Sequence, residues 1–188
     1  MVLNEKALRT RIKEAFKNQG YTVAVDDGVM WICGGYWLVW INTDEVANET
    51  LSLITLHTRK TLRDGEAYKV IKGDNGPIVQ KVLMDVAMTS AKTMGEHLAE
   101  RTPHDEIRML KTNLRYDGCG VWQNDSLLDV VLIDPRYEAL FEDKKGVTAL
   151  GTGLYAEGEI SGAWVIRRDM KGQEVQLRHL AGMRWVHT

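Results

Sequence analysis

The sequence predicts an α+β protein: a helix-flanked antiparallel sheet with a β-rich C-terminal lobe. Three patterns lead there. Apolar residues recur at helical spacing in two stretches of the first hundred residues. Short apolar runs broken by turn residues lie between those stretches. Beyond residue 113 the periodicity becomes strand-like and glycine-punctuated.

The first helix starts at Asn4, a good N-cap, and repeats Leu8, Ile12 and Phe16 before Gly20 closes it. So narrow a stripe predicts one buried face, with Lys6, Arg9, Arg11, Lys13 and Lys17 on the opposite, solvated one. Strands are expected at Tyr21–Val25, Val29–Cys33 and Tyr36–Asn42, with a turn at Asp26-Asp27-Gly28 and a two-residue hairpin turn at Gly34-Gly35. The segment "MWICGGYWLVWI" (30–41) holds three of the six tryptophans. Tyr36, Leu38 and Trp40 alternate with Trp37, Val39 and Ile41, so both faces of the third strand are apolar. That predicts a central strand covered on both sides, not a ligand platform, with one edge tryptophan left to solvent.

Residues 46–62 fit either a helix or a strand, and their length and cationic end favour the helix. Ala67–Lys72 fits a strand between two glycine turns. Pro77 in a favoured first-turn position predicts a second long helix to about Glu100, its apolar face built from Val79, Val82, Leu83, Val86, Ala87, Ala91, Met94 and Leu98. The polar stretch "RTPHDEIRMLKT" (101–112) is the expected connector between an N-terminal lobe, 1–100, and a C-terminal lobe, 113–188, which either stand apart or pack as one domain. In the second lobe, 114–123 reads as a hairpin turning at Asp117-Gly118, Leu127–Ile133 as a strand, and Pro135 as the start of a short helix through Phe141. "AWVIRR" and "EVQLRHL" read as a hairpin across "DMKG", and Met183–Val186 as a last strand.

Composition narrows the function. The 188 residues are 44% hydrophobic and 27% charged, with three prolines, which is ordinary for a folded domain. The formal charge of −2 suits neither a strongly basic nucleic-acid binder nor a nucleic-acid mimic. The charged, amphipathic start is unlike a signal peptide, and the longest apolar run, Val29–Ile41, is too short to span a membrane, so a cytoplasmic protein without a membrane partner is expected. Cys33 and Cys119 are then expected as two reduced thiols. Charge is segregated: 117–143 carries seven acidic residues against Arg136 alone, whereas 164–188 and the first helix are net cationic.

Catalytic patterns are wanting. "GDNGPIVQK" lacks the spacing of a phosphate-binding loop, and "GTGLYAEG" is followed by a strand pattern, not a helix. The five histidines and two cysteines form no zinc-type pair. Ser161 and Cys119 sit in glycine-rich turns without a partnering histidine pattern. No catalytic residue, metal ligand or cofactor is therefore assigned. One enzymatic alternative survives: Asp129 and Asp134 flank a strand and Asp117 precedes its partner, an arrangement that could hold Mg²⁺ for phosphodiester hydrolysis. As a binding surface the C-terminal cations stand out: Arg167, Arg168, Lys171, Arg178 and Arg184, interleaved with Trp164 and Trp185. Strand alternation sends Arg167 and Arg168 to opposite sides, so only part of this set shares a face.

The segment "LRYDGCGVWQNDSLLDVVLIDPRYEALF" (114–141), a Y-x-G-x-x-W hairpin followed by D-V-V-L-I-D-P-x-Y, resembles small accessory proteins of prophages and mobile elements of gut bacteria. Some proteins of this kind are anti-CRISPR inhibitors, including inhibitors of Cas9. The resemblance covers about a sixth of the chain and transfers no site residue. It implies a non-enzymatic protein that inhibits a host defence nuclease by stoichiometric binding, its partner a host or CRISPR effector protein, with DNA or RNA as a second candidate. The alternatives are the metal-dependent nucleic-acid enzyme above and a structural or assembly protein.

Overall fold

The computed structural model describes residues 2–100, 107–124 and 130–168. It is α+β, and every strand pair in it is antiparallel. Helix α1 (Glu5–Lys17) leads into β1 (Tyr21–Asp26), β2 (Val29–Cys33) and β3 (Trp37–Asn42). Helix α2 (Asn48–Thr58) follows, then β4 (Glu66–Gly73), β5 (Gly76–Lys81), α3 (Met84–Ala87) and α4 (Thr89–Ala99). After residue 107 come β6 (Met109–Tyr116), β7 (Cys119–Asn124), β8 (Val130–Ile133), α5 (Pro135–Glu138), β9 (Thr148–Leu150), β10 (Gly153–Glu157) and β11 (Ser161–Ile166).

Two sheets result. The large one has eight strands in the order β5-β4-β1-β2-β3-β11-β10-β9, and the small one three, β6-β7-β8. Five strands from the first hundred residues and three from the C-terminal stretch thus share one sheet, joined where Trp37–Ile41 pairs with Ser161–Val165. β3 lies inside that sheet and is covered on both sides, as its two apolar faces require. Trp37, Val39 and Ile41 enter a core with α1, α2 and the small sheet's Trp122, Val131 and Ile133. Leu38 enters a second core on the opposite face, closed by Ala91 and Met94 of α4 with Tyr155 and Trp164. Trp31 and Trp40 pack against that second core while keeping partial exposure.

Close strand approach explains how so many indoles fit. Trp164 and Trp40 lie across Gly153 and Gly162, glycines of neighbouring strands. A Cβ on Gly153 would collide with the Val165 carbonyl oxygen and sit 2.6 Å from Trp164 Nε1. The ring covers the strand backbone that a glycine leaves bare.

Asn4 caps α1 by accepting from the Ala7 N–H at 3.0 Å. Helix α2 has no side-chain cap of its own. Glu5 of α1 serves instead: its carboxylate accepts from the Ala47 N–H (3.2 Å) and the Thr50 hydroxyl (2.7 Å), placing negative charge at the helix start. On α2, buried His57 stacks on Phe16 at 3.8 Å, and its Nδ1 lies 3.2 Å from the Tyr21 hydroxyl.

Several local expectations shift. Pro77 does not open a helix; it sits in β5, an edge strand, where a missing N–H costs no ladder bond, and helix begins only at Met84. The Gly34-Gly35 turn moves on by one residue: Gly34 N–H donates to the Trp37 carbonyl, so Gly35 (φ +85°) and Tyr36 form the two-residue loop and Tyr36 leaves the strand. Met109–Thr112 belongs to β6 instead of the connector. Arg11, expected on the solvated face of α1, is buried. The start of the expected 127–133 strand, the 174–180 hairpin arm and the 183–186 strand lie outside the described residues.

Two stability measurements follow. Gly153→Ala should destabilise the fold by about 1–3 kcal/mol through overpacking. Gly95→Ala, on α4 with open space around its Cα, should instead stabilise by about 0.5–1 kcal/mol; chemical denaturation of both variants checks the pair. Burial and the nearby Lys13 charge hold the His57 pKa below its ordinary value. The unfolded chain then binds the proton more readily, so stability is full above about pH 6.5 and falls as the pH drops below it. Denaturation at pH 8 and pH 5 should show that loss, and His57→Gln should flatten it.

Candidate partner-binding surface

Four elements converge at one end of the large sheet. The β2–β3 turn carries Tyr36, which is 55% exposed. The β3–β11 register sets the end of β11 beside it: the Ile166 N–H donates to the Tyr36 carbonyl at 3.0 Å. Arg167 and Arg168 follow directly and are both exposed. The Arg168 N–H then donates to the Leu132 carbonyl at 2.9 Å, which ties this segment to β8 of the small sheet.

Helix α5 supplies the next pair. Asp134 caps it by accepting from the Arg136 N–H at 2.9 Å, and Pro135 holds the first helical position. The same carboxylate grips the Arg136 guanidinium, with Nη2 2.6 Å from Oδ2. Those hydrogen bonds hold the Asp134 carboxyl below the usual carboxylate range and raise the Arg136 pKa. Arg136 lies 5.6 Å over the Tyr137 ring, and Tyr137 stacks on Tyr36 at 6.1 Å and 27°. Burial pushes the Tyr137 hydroxyl pKa up. Beneath α5, buried Glu138 pairs with Lys111 of β6 and with Lys144 at 3.1 Å, which anchors the helix to the small sheet.

Helix α1 closes the surface. Arg11, Glu14, Asn18 and Gln19 line a cleft of about 60 Å³ against Arg136 and Tyr137. Gln19 is fixed by donating to the Gly34 carbonyl at 2.8 Å. The surface that results joins tyrosines and arginines drawn from α1, the β2–β3 turn, α5 and the end of β11.

Of the residues singled out in the sequence, Arg168 is exposed and paired with Asp117 at this end, and Arg167 is exposed, its N–H donating to the Thr152 carbonyl at 3.0 Å. Trp164 is buried: it is 6% exposed in the second core and its Nε1 donates to the Leu150 carbonyl at 3.1 Å. It lies on β11, on the face packed against Ala91 and Met94 of α4. Lys171, Arg178, Arg184 and Trp185 lie outside the described residues. Asp117 and Asp134 of the metal-enzyme alternative fall at the same end of the small sheet, but each is taken by an arginine. Arg168 Nη2 is 2.7 Å from Asp117 Oδ2, and its Nη1 donates to the Asp117 carbonyl at 3.0 Å. Asp129 lies outside the described residues. Among those described, no group of three or more histidine, cysteine, aspartate or glutamate side chains could hold a metal ion. The Cys119 thiol lies 3.5 Å from Arg168 Nη1, and this hydrogen bond and Asp117 raise the arginine's pKa.

Sequence reasoning missed Tyr36, Tyr137 and Arg136 as neighbours on this surface, with Arg11 buried beside them. The Asp-Pro-Arg-Tyr run, a capped turn that leaves Arg136 exposed and Tyr137 half-buried, was the available signal.

No family model matches this sequence, and no curated protein matches it. Among solved structures the chain is similar to a putative DNA polymerase III beta subunit from Eubacterium rectale, with a TM-score of 0.35 and 8% identity over 91% of this chain and 65% of that one. It is also similar to the DNA polymerase III subunit beta from Borrelia burgdorferi, with a TM-score of 0.34 and 11% identity over 88% of this chain and 62% of that one. The chain thus spans somewhat less than two thirds of the length of these structures. Likeness at this level says nothing about function.

Asp134 is the joint on which Arg136 and Tyr137 depend. Asp134→Ala should lower stability by about 0.5–2 kcal/mol through loss of the cap, whereas Asp134→Asn keeps a capping oxygen and should cost less. Because the folded-state pKa is depressed, the carboxylate's contribution is complete above about pH 3.9 and is lost as the pH falls through the folded value. Acid denaturation of wild type against Asp134→Asn should show the variant lacking that part of the acid transition.

Proposed function

We propose that this protein is a non-enzymatic binding protein that inhibits a host defence nuclease of the Cas9 type by stoichiometric engagement. The observation that supports this reading is the tyrosine–arginine surface built from Tyr36, Tyr137, Arg136, Arg167 and Arg168. Tyrosine and arginine are the residue types that concentrate binding energy at protein interfaces. Arg136 is held by Asp134, the Tyr137 ring lies between Arg136 and Tyr36, and Arg168 is held by Asp117, so these side chains lose little freedom when a partner docks. The resemblance of 114–141 to mobile-element accessory proteins supplies the class of partner, and that partner places the protein in the cytoplasm. Among the described residues, no helix is long and apolar enough to cross a membrane.

Titration of a guide-loaded Cas9-type nuclease with the purified protein tests the proposal. Cleavage should stop at one equivalent, with a complex of one-to-one mass. Tyr36→Ala and Arg167→Ala should each weaken inhibition by about tenfold or more with unchanged thermal stability. Inhibition far below one equivalent would mean turnover and would remove the stoichiometric reading. A partner held only while nucleic acid is intact would move the assignment to nucleic-acid binding.

A further inference from the structure

We propose that the exposed face of α1 is a docking surface for double-helical DNA, which it holds by the phosphate backbone through Lys6, Lys13 and Lys17. This surface is separate from the tyrosine–arginine surface and does not depend on it.

The formal charge of −2 for the whole chain hides a strongly cationic element. Helix α1 carries five cations against two acids. Both acids are engaged away from the lysines. Glu5 accepts from the Ala47 N–H and the Thr50 hydroxyl at the start of α2, and Glu14 accepts from Arg11. Lys6, Lys13 and Lys17 are exposed, and among the described residues none of the three forms an ion pair. Helical geometry places them within roughly 40° of one line, on the side opposite buried Leu8, Ile12 and Ala15. The row is about 16 Å long, and duplex DNA of that length carries about ten phosphates.

Neighbouring elements extend the positive surface. Tyr68 and Val70 of β4 pack into the core under α1 and α2, and strand alternation puts exposed Lys72 on that same side of the sheet. Arg59 and Lys60 follow α2 and are exposed, with Lys60 5.1 Å over the Tyr68 ring. Helix α2 itself carries one acid, Glu49 in its first turn, and exposes Ser52, Thr55 and Leu56.

The chemistry of the row favours DNA over other polyanions. Lysine is depleted where proteins meet proteins, whereas its ammonium binds phosphate as a point charge. Single strands are held by stacking bases on aromatic rings, and the one aromatic residue of α1, Phe16, is half-buried against His57. Duplex RNA is recognised in part through its 2′-hydroxyls. The row offers ammonium groups, and the Thr10 hydroxyl beside them already donates to the Lys6 carbonyl. A bilayer takes up apolar side chains along with cations, and none of the large exposed apolar residues lies on α1.

The test follows the fluorescence anisotropy of a labelled, mixed-sequence DNA duplex of about 20 base pairs as the intact protein is added, at about 50 and about 200 mM sodium chloride. Wild-type affinity should fall by about 40-fold or more between the two salts, the loss expected for three phosphate contacts. Lys13→Gln and Lys17→Gln should each weaken binding at the lower salt and remove a factor of about 3.5 from that ratio. Lys69→Gln, which lies between Tyr68 and Val70 and so on the opposite sheet face, should change neither quantity, and nor should Tyr36→Ala. Absence of binding at the lower salt overturns the proposal. So does a salt dependence that the α1 variants leave unchanged, or that Lys69→Gln reduces equally. Tighter binding of poly-glutamate than of the duplex reassigns the face to an acidic protein, and tighter binding of the same duplex as RNA overturns the DNA assignment.

Discussion

The pairing of β3 with β11 is the constraint on which the rest of the molecule depends. It joins five strands from the first hundred residues to three from the C-terminal stretch, and both apolar cores sit on the sheet it completes. A one-residue slip would turn Trp37, Val39 and Ile41 toward α4 and Leu38 toward α1, exchanging the two core sets. Glycine opposite indole makes such slips costly, because Trp40 fits only where Gly162 faces it. The same register delivers Tyr36 beside Ile166 and so decides where Arg167 and Arg168 emerge.

The surface at that end is electrostatically quiet although rich in charge. Each matched arginine is held by a carboxylate from its own neighbourhood: Glu14 one turn along α1, Asp134 two residues before Arg136, Asp117 at the β6–β7 turn. The two more exposed pairs, Arg136–Asp134 and Arg168–Asp117, add little stability. Their effect is orientation: the Asp134 carboxylate caps the helix and aims the Arg136 guanidinium with the same oxygens, so the Tyr137 ring beneath it is fixed too. A preorganised arginine–tyrosine stack loses less entropy on docking than freely rotating side chains would.

Much of the fold was legible because it rests on local chemistry. Asn4 as a cap, the double-sided apolar pattern of β3, the Asp117-Gly118 turn and the Asp134–Pro135 helix start are all set by neighbouring residues. The errors came where a distant partner decides. Pro77 suits a first helical turn as well as an edge strand, and only the position of β5 outside β4 chooses between them. Arg11 falls off the Leu8–Ile12–Phe16 stripe and reads as solvated; α5, more than a hundred residues later, covers it. Trp164 looked like a surface aromatic among cations, but β11 is interior to the sheet and the face carrying that indole meets α4. The candidate site was half legible for the same reason. Arg167 and Arg168 follow a recognisable strand, whereas Tyr36, Arg136 and Arg11 come together only through long-range packing.

The late arrival of β11 has a consequence during synthesis. The ribosome releases β1 to β5 well before residues 161–166 exist, so a nascent chain carries β3 as an open edge with apolar side chains on both faces. Unpaired strands of that kind recruit other chains. A product truncated before Ser161 keeps this edge indefinitely and is a substrate for chaperones and for aggregation, whereas a chain that includes β11 covers it.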